Sequence, residues 1–309
     1  MIFFYLIIFF ILFYVSYVFN KKIDNYDQPA KIKNHKIKTV NSGGLFPFLC
    51  LAVIVIILFY REFGIISYRS PSLPFFLVLP ASIIFLTMLS FFDDRKSLSI
   101  EIRLFCQLTI VFFSISALPI NNVVNFQNPI FSGLINTKID IFLTIFIWVY
   151  FINITNFYDG HDGLLSFQLI NFGTSYYFIF QKLNQSLISE ISMIISIIGV
   201  TFIFFNFSKK YKMFMGDAGS IVSGYLFGYL TIKCITQGYY IVPILISFTL
   251  FFDISISLLL RMINKKSIFI RHHDFIFKMI IKKYSLRTFL VLLVLIQSVL
   301  SFTAISLIK

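Results

Sequence analysis

Long apolar runs separated by short polar breaks make up most of the chain. They occupy about 1–20, 45–60, 73–92, 100–120, 139–152, 163–181, 190–207, 217–235, 238–260 and 288–307. Most approach the roughly 20 residues with which an α-helix crosses the hydrocarbon core of a bilayer. The pattern predicts an all-α polytopic membrane protein with about ten transmembrane helices, forming one integral-membrane domain over 1–309. The first run has no basic leader and no small-residue cleavage site, and Lys21 and Lys22 follow it directly. A retained first helix with its N-terminus outside is therefore expected, in place of a cleaved signal peptide.

Composition strengthens this reading. Apolar residues make up 58% of the chain and charged residues 13%, with a mean hydropathy of +0.89. Soluble domains carry about 45–50% and about 25%. A secreted disulfide module, a disordered tail and a soluble enzyme are excluded together. Cys50, Cys106 and Cys234 all lie in apolar stretches without a CxxC spacing, so they read as packing residues.

The net charge of +13 could suggest a nucleic-acid partner, but its distribution argues for topology. Ten alternating spans starting outside put breaks at about 21–44, 93–103, 153–162, 208–216 and 261–287 in the cytoplasm. These hold 20 of the 26 Lys and Arg, as the positive-inside rule requires. All four histidines fall on the same side, as do Asp93, Asp94, Asp159, Asp162, Asp217 and Asp274. A protein that only anchors or conducts has no need to gather its titratable groups on one face. A site at the cytoplasmic membrane boundary is expected.

Four constellations carry its chemistry. Asp93-Asp94 closes the third run; adjacent carboxylates repel unless a cation or a donor compensates them, and such a pair suits Mg²⁺ or proton acceptance. Asn153, Asn156, Asp159, His161 and Asp162 crowd an eleven-residue stretch with Gly160 and Gly163. A plain turn needs fewer polar groups, which are costly at membrane depth unless paired or lining a cavity. Lys212-Met-Phe-Met-Gly-Asp217-Ala-Gly-Ser220 combines a cation, an acid that could equally cap a helix, and glycines that admit a ligand. Arg271-His272-His273-Asp274 lacks zinc spacing and suits phosphate oxygens. The nearby Lys278, Lys282 and Lys283 read by themselves as a basic surface facing anionic lipid headgroups. In the first loop, Gly43-Gly44 fits close packing or a bend beside a ligand.

In this order and on one face, the elements resemble the polyprenyl-phosphate N-acetylhexosamine-1-phosphate transferases, the bacterial enzymes that initiate envelope glycans. The resemblance runs from about Asp27 to about Lys278. It rests on Asp93-Asp94 with Arg103 and Gln107, on Asn153, Asn156, Asp159-Gly-x-Asp162-Gly, and on Phe214-Met-Gly-Asp217-x-Gly-Ser220. In the first loop Asp27, Pro29 and His35 fit the family pattern, whereas Ala30 and Lys33 depart from it; Arg271-His272-His273 fits the last-loop pattern in part.

The resemblance implies transfer of a UDP-activated N-acetylhexosamine 1-phosphate to polyprenyl phosphate, with release of UMP, in the bacterial cytoplasmic membrane. It also implies Mg²⁺, with Mn²⁺ as a substitute, and no nucleic acid; a homodimer is expected by analogy. Asp217 would ligate the metal, with Asp159 assisting, while Asp93 and Asp94 orient or deprotonate the lipid phosphate. Asn153, Asn156, Asp159 and Asp162 would line the nucleotide pocket, and His35, Lys212, Arg271, His272 and His273 would hold the phosphates or the sugar. The chain is closer to the branch using simple UDP-N-acetylhexosamines than to the phospho-MurNAc-pentapeptide branch. A transporter or lipid flippase is the rival from another class, and Asp253 inside the ninth run suits it best.

Overall fold

Among the described residues, ten membrane-length helices and one short one form the fold, with a two-residue β-ladder beside them. The computed structural model describes residues 2–20, 26–27, 39–63, 73–117, 137–265 and 275–308. The long helices are α1 (Ile2–Asn20), α2 (Leu45–Phe63), α3 (Leu73–Arg95), α4 (Ile100–Ala117), α5 (Thr137–Tyr158), α6 (Leu164–Lys182), α7 (Ser186–Asn206), α8 (Asp217–Ile235), α9 (Ile241–Ile263) and α11 (Leu286–Ser306). Helix α10 (Ile276–Lys283) lies in what the hydropathy pattern treats as a basic loop. Strands β1 (Tyr26–Asp27) and β2 (Thr39–Val40) pair antiparallel ahead of α2.

Among the described residues, nine of these helices are long and apolar enough to cross a membrane. The exception is α6, whose Gln168, Asn171 and Ser175 dilute its apolar character. Their polar groups are absorbed inside the bundle. Gln168 donates to Thr249 of α9 at 3.1 Å, and Asn171 donates to the Ile246 carbonyl at 3.1 Å and accepts from Ser301 of α11 at 2.7 Å. Gln297 joins the same network, donating to Ile246 O at 2.9 Å and accepting from Thr249 at 2.7 Å. Satisfying polar groups between helices is what the hydrocarbon region demands.

Helix α8 is the axis of the bundle. Its span is 89% buried, against 17% for α1 and 28% for α11. Small residues at four-residue spacing, Ser220, Gly224 and Gly228, let α5 approach its backbone. A Cβ on Gly224 would lie 2.6 Å from the backbone of Phe151 and Ile152, and one on Gly228 would strike the Trp148 ring. Trp148 in turn donates to the Tyr225 carbonyl at 2.8 Å, and the Tyr225 hydroxyl pairs with Ser114 of α4. Close packing thus fixes where the ends of α4, α5 and α8 meet.

Asp253 has a structural task. Its carboxylate accepts from Ile276 N at 3.0 Å and from Phe277 N at 3.2 Å, so it caps α10 from a neighbouring helix. Phe277 is fully buried and packs on Tyr158, the last residue of α5, and on His161. The residue best suited to an ion path is therefore committed to holding α10. Asp253→Ala is expected to cost about 1–3 kcal/mol by leaving Phe277 N without its acceptor and Ile276 N with only the longer bond to Ser257 Oγ at 3.4 Å. A lower melting temperature and faster amide exchange at Ile276 and Phe277 would record it; unchanged exchange would refute it.

Candidate active site

The two acids that end α3 have separate partners. Asp93, almost entirely buried, accepts from Leu98 N at 2.6 Å and from Arg103 at 3.2 Å. Asp94 accepts from Asn41 Nδ2 at 3.2 Å and Asp217 N at 3.4 Å on one oxygen, and from Ser42 Oγ at 2.8 Å on the other. Repulsion between neighbouring carboxylates is thus answered by two independent donor sets. Asn41 and Ser42 were not among the sequence-derived site residues; their place just before Gly43-Gly44 was the signal available.

Backbone pairing brings Asn41 and Ser42 to the site. Val40 bridges Met213 in parallel, Phe214 N donates to Val40 O, and Gly43 N and Gly44 N donate to the carbonyls of Phe214 and Met215, each at 2.9 Å. The approach to α8 therefore lies flat against the approach to α2. The Gly pair fits close packing, because a Cβ on Gly44 would strike the Gly219 backbone. Gly216 then turns the chain into α8 with φ +69° and ψ 177°, a region open in practice to glycine alone.

Asn153, Asn156 and Asp159 were expected in a loop. Helix α5 instead runs on to Tyr158, so the two asparagines occupy one face of its last turns and Asp159 follows directly. Asn153 donates to Gln107 of α4 at 2.8 Å, and Asn156 accepts from Ser220 of α8 at 2.9 Å. Beyond them, Lys212 donates to Asp162 at 2.6 Å, tying the α5–α6 turn to the α7–α8 turn. Asn206 ties the same turns by accepting from Gly163 N at 3.1 Å and donating to Met213 O at 2.8 Å. Lys212 and Asp162, both expected to meet substrate, meet each other in this state.

The structure thus gathers Asp93, Asp94, Asn153, Asn156, Asp159, Asp162, Lys212 and Asp217 at one end of the bundle. His35, Arg271, His272 and His273 lie outside the described residues. Arg103 is the cation at the centre, 3.2 Å from Asp93 and 3.8 Å from Asp217. The Asp217 and Arg103 side chains are each 31% exposed while that of Asp93 is 5% exposed, so a ligand can reach the first two and not the third. Leu89, Ser90, Asp93, Arg103, Gln107 and Ile221 line a narrow cleft between α3, α4 and α8.

Negative charge is concentrated here. Burial around its carboxyl, reinforced by Asp217, Asp94 and Asp162, pushes Asp159 up to about 7. A cation would relieve that repulsion. Asp217, Asp159 and Asn156 offer oxygen donors alone, which is the set that Mg²⁺ takes. Among the described residues no group of three or more His, Cys, Asp or Glu forms a ready-made metal cage. One or two carboxylates, completed by water and substrate phosphates, are what Mg²⁺ ordinarily uses in phosphoryl-transfer sites. The residues present fit the ion.

Several proteins of known description are similar to this chain. A probable undecaprenyl-phosphate N-acetylglucosaminyl 1-phosphate transferase of Bacillus subtilis is 24% identical over 254 residues, covering 80% of this chain and 67% of its own length. An undecaprenyl-phosphate alpha-N-acetylglucosaminyl 1-phosphate transferase of Yersinia pestis is 27% identical over 226 residues, covering 70% and 57%. A phospho-N-acetylmuramoyl-pentapeptide-transferase of Streptococcus suis is 26% identical over 219 residues, covering 68% and 64%. The chain therefore spans between 57% and 67% of the length of these relatives. Residues 75–235, just over half of the chain, match the profile of glycosyl transferase family 4. That segment carries every site residue from Asp93 to Asp217 and both helices, α5 and α8, that bring them together, and by it the chain belongs to glycosyl transferase family 4.

Proposed function

We propose that this protein transfers a UDP-activated N-acetylhexosamine 1-phosphate to polyprenyl phosphate, releasing UMP, at the cytoplasmic face of a bacterial inner membrane. The observation that carries the reading is the meeting of Asp94, Asp159 and Asp217 with Arg103 and two asparagines at one end of a bundle of membrane helices. An enzyme joining a lipid phosphate to a soluble nucleotide needs its charged groups at that boundary. The basic excess on the same side of the sequence supports the orientation.

In the reaction, an oxygen of the lipid monophosphate attacks the phosphorus that bears the sugar. The bond from that phosphorus to the bridging oxygen breaks, and UMP leaves with the electron pair. Both partners are anions, so catalysis rests on positioning and charge compensation. Mg²⁺, held by Asp217 and Asp159, would supply charge neutralisation of the diphosphate. Arg103 offers its guanidinium to phosphate oxygens while Asp93 fixes its direction. Asn156 and Ser220 orient the nucleotide side. A phosphate monoester loses its second proton near pH 6, so the lipid phosphate needs little help from a base at neutral pH. Asp94, with both oxygens engaged, acts instead by fixing the start of α8 against the Asn41-Ser42 turn.

The test is UMP release from UDP-GlcNAc by the purified chain with undecaprenyl phosphate and Mg²⁺. Release that requires both the lipid and the ion is expected, and chelation should abolish it. No release from any UDP-N-acetylhexosamine or from UDP-MurNAc-pentapeptide would overturn the reading.

A further inference from the structure

Helix α10 turns one stripe of side chains outward. Asp253 caps its first amides, Phe277 is buried, and the rings of Phe277 and Phe289 join it to α11 with centroids 6.3 Å apart. With that face committed to the bundle, Met279, Lys282 and Lys283 stand exposed on the opposite side at i, i+3 and i+4. Tyr284 follows the helix and is 62% exposed, and Arg287 is exposed in the first turn of α11. Among the described residues no carboxylate lies within ion-pair distance of Lys282, Lys283 or Arg287. Four residues beyond Arg287, about 6 Å along the helix, Val291 and Leu292 begin the outward apolar surface of α11. The three cations therefore converge on the α10–α11 turn, just above the first residues that face lipid.

We propose that Met279, Lys282, Lys283, Tyr284 and Arg287 form a binding site for the headgroup of an anionic phospholipid that is not a substrate of the enzyme. The fold holds the charges in place, which a diffuse basic loop does not. Asp253 fixes one end of α10, the bond from Tyr284 N to Ile280 O closes the other at 2.9 Å, and Ser285 caps α11 by accepting from Thr288 N at 3.0 Å. The apolar members of the patch select the partner. Met279, 64% exposed, and the Tyr284 ring gain nothing from water or from a soluble acidic chain, whereas the acyl–headgroup boundary accepts both. Charge placement agrees. Lys282 and Lys283 also suit the C-terminal end of the α10 dipole, but Arg287 sits in the first turn of α11, where a cation opposes the dipole. An anionic phosphodiester beside all three answers that charge. The patch lies on the face of α10 turned away from Tyr158 and His161, so it is separate from the acidic centre and does not depend on the transfer reading.

The test uses the full chain in nanodiscs of phosphatidylcholine with an equal amount of phosphatidylglycerol, one or the other carrying a photoreactive diazirine near its headgroup. Crosslinked peptides would be mapped by mass spectrometry, and amide exchange of α10 would be followed in discs with and without the anionic lipid. Each Lys or Arg beside an anionic lipid is worth about fivefold in binding, so labelling of the segment 279–292 by phosphatidylglycerol should exceed that by phosphatidylcholine about tenfold or more. The excess should vanish in Lys282→Gln/Lys283→Gln/Arg287→Gln, and exchange at the Tyr284 amide should be slower with phosphatidylglycerol in wild type alone. Lys209→Gln/Lys210→Gln, which removes two exposed charges from the α7–α8 turn, should leave both readouts unchanged. Lys282→Gln/Arg287→Gln supplies the same comparison with one charge fewer removed if the triple variant does not accumulate. Equal labelling by the two lipids would overturn the proposal. So would an equal loss in the Lys209/Lys210 variant, which would mark a diffuse surface charge. Displacement of phosphatidylglycerol by added undecaprenyl phosphate would overturn it as well, by making this a substrate site.

Discussion

Asp217→Asn should lower UMP release by about 10³-fold or more, with helicity and melting temperature close to wild type. The size follows from what the carboxylate does in the proposed reaction: charge stabilisation by a bound divalent ion is worth several kcal/mol, and each 1.4 kcal/mol is about tenfold in rate. The retained fold follows from geometry. Asp217 opens α8, and its backbone N–H, which the substitution leaves intact, is the group bonded to Asp94. Arg103 keeps its shorter contact to Asp93 at 3.2 Å when the 3.8 Å contact to Asp217 weakens. Asparagine is nearly isosteric and remains a good residue at a helix start, so the change removes charge and little else. Turnover would be measured over a range of Mg²⁺ concentrations, with circular dichroism as the fold control. Near-normal turnover at every concentration would remove Asp217 from the metal site.

The sequence made the helices legible because a bilayer imposes one strong rule. A helix facing lipid must be apolar along its length, and α1, with its span 17% buried, obeys it apart from Ser16, which is turned inward and buried. The rule weakens where helices face each other. Helix α6 carries Gln168 and Asn171 because α9 and α11 supply their partners, and that cross-helix pairing is invisible in a linear pattern. The same limit hid α10. Eight residues with three lysines resemble a loop until Asp253, more than twenty residues earlier in the chain, caps their first amides.

Site residues divided along similar lines. Asp94, Asp159 and Asp217 stand out in sequence since acids are scarce in so apolar a chain. The groups that orient them do not. Asn41 and Ser42 reach Asp94 only through the backbone pairing of Gly43 and Gly44 with Phe214 and Met215, a register set by contacts some 170 residues apart. Arg103 was visible as part of a motif, but its bridging position between Asp93 and Asp217 depends on how α4 meets α3 and α8. Asp253 shows the converse. An acid within an apolar run suggests an ion path, and only the fold reveals that two amides of α10 account for it.

Gly216→Ala should be the most damaging substitution that touches no functional group. At φ +69° and ψ 177°, any side chain carries a backbone cost of about 1–3 kcal/mol. The new methyl also has nowhere to go. It would lie 2.6 Å from Ser42 N, 2.8 Å from Asn41 Oδ1 and 2.8 Å from Asp94 Oδ2, so it strikes the three groups that seat α8 against α3 and the α2 approach. Relief requires the first turn of α8 to move, and Asp217 moves with it. A shift of about 1 Å at a reacting centre costs about 10²-fold in rate. Turnover is therefore expected to fall by about that factor or more, together with a lower melting temperature. Gly238 supplies the comparison that separates strain from displacement. It has a similar positive φ of +87°, but a Cβ there meets nothing within 4 Å. Gly238→Ala should lose stability of the order of 1 kcal/mol and keep its turnover. Equal loss of turnover in the two variants would show that global destabilisation, and not the displacement of Asp217, accounts for the effect. Wild-type turnover in Gly216→Ala would show that the seat of α8 is not what positions the site.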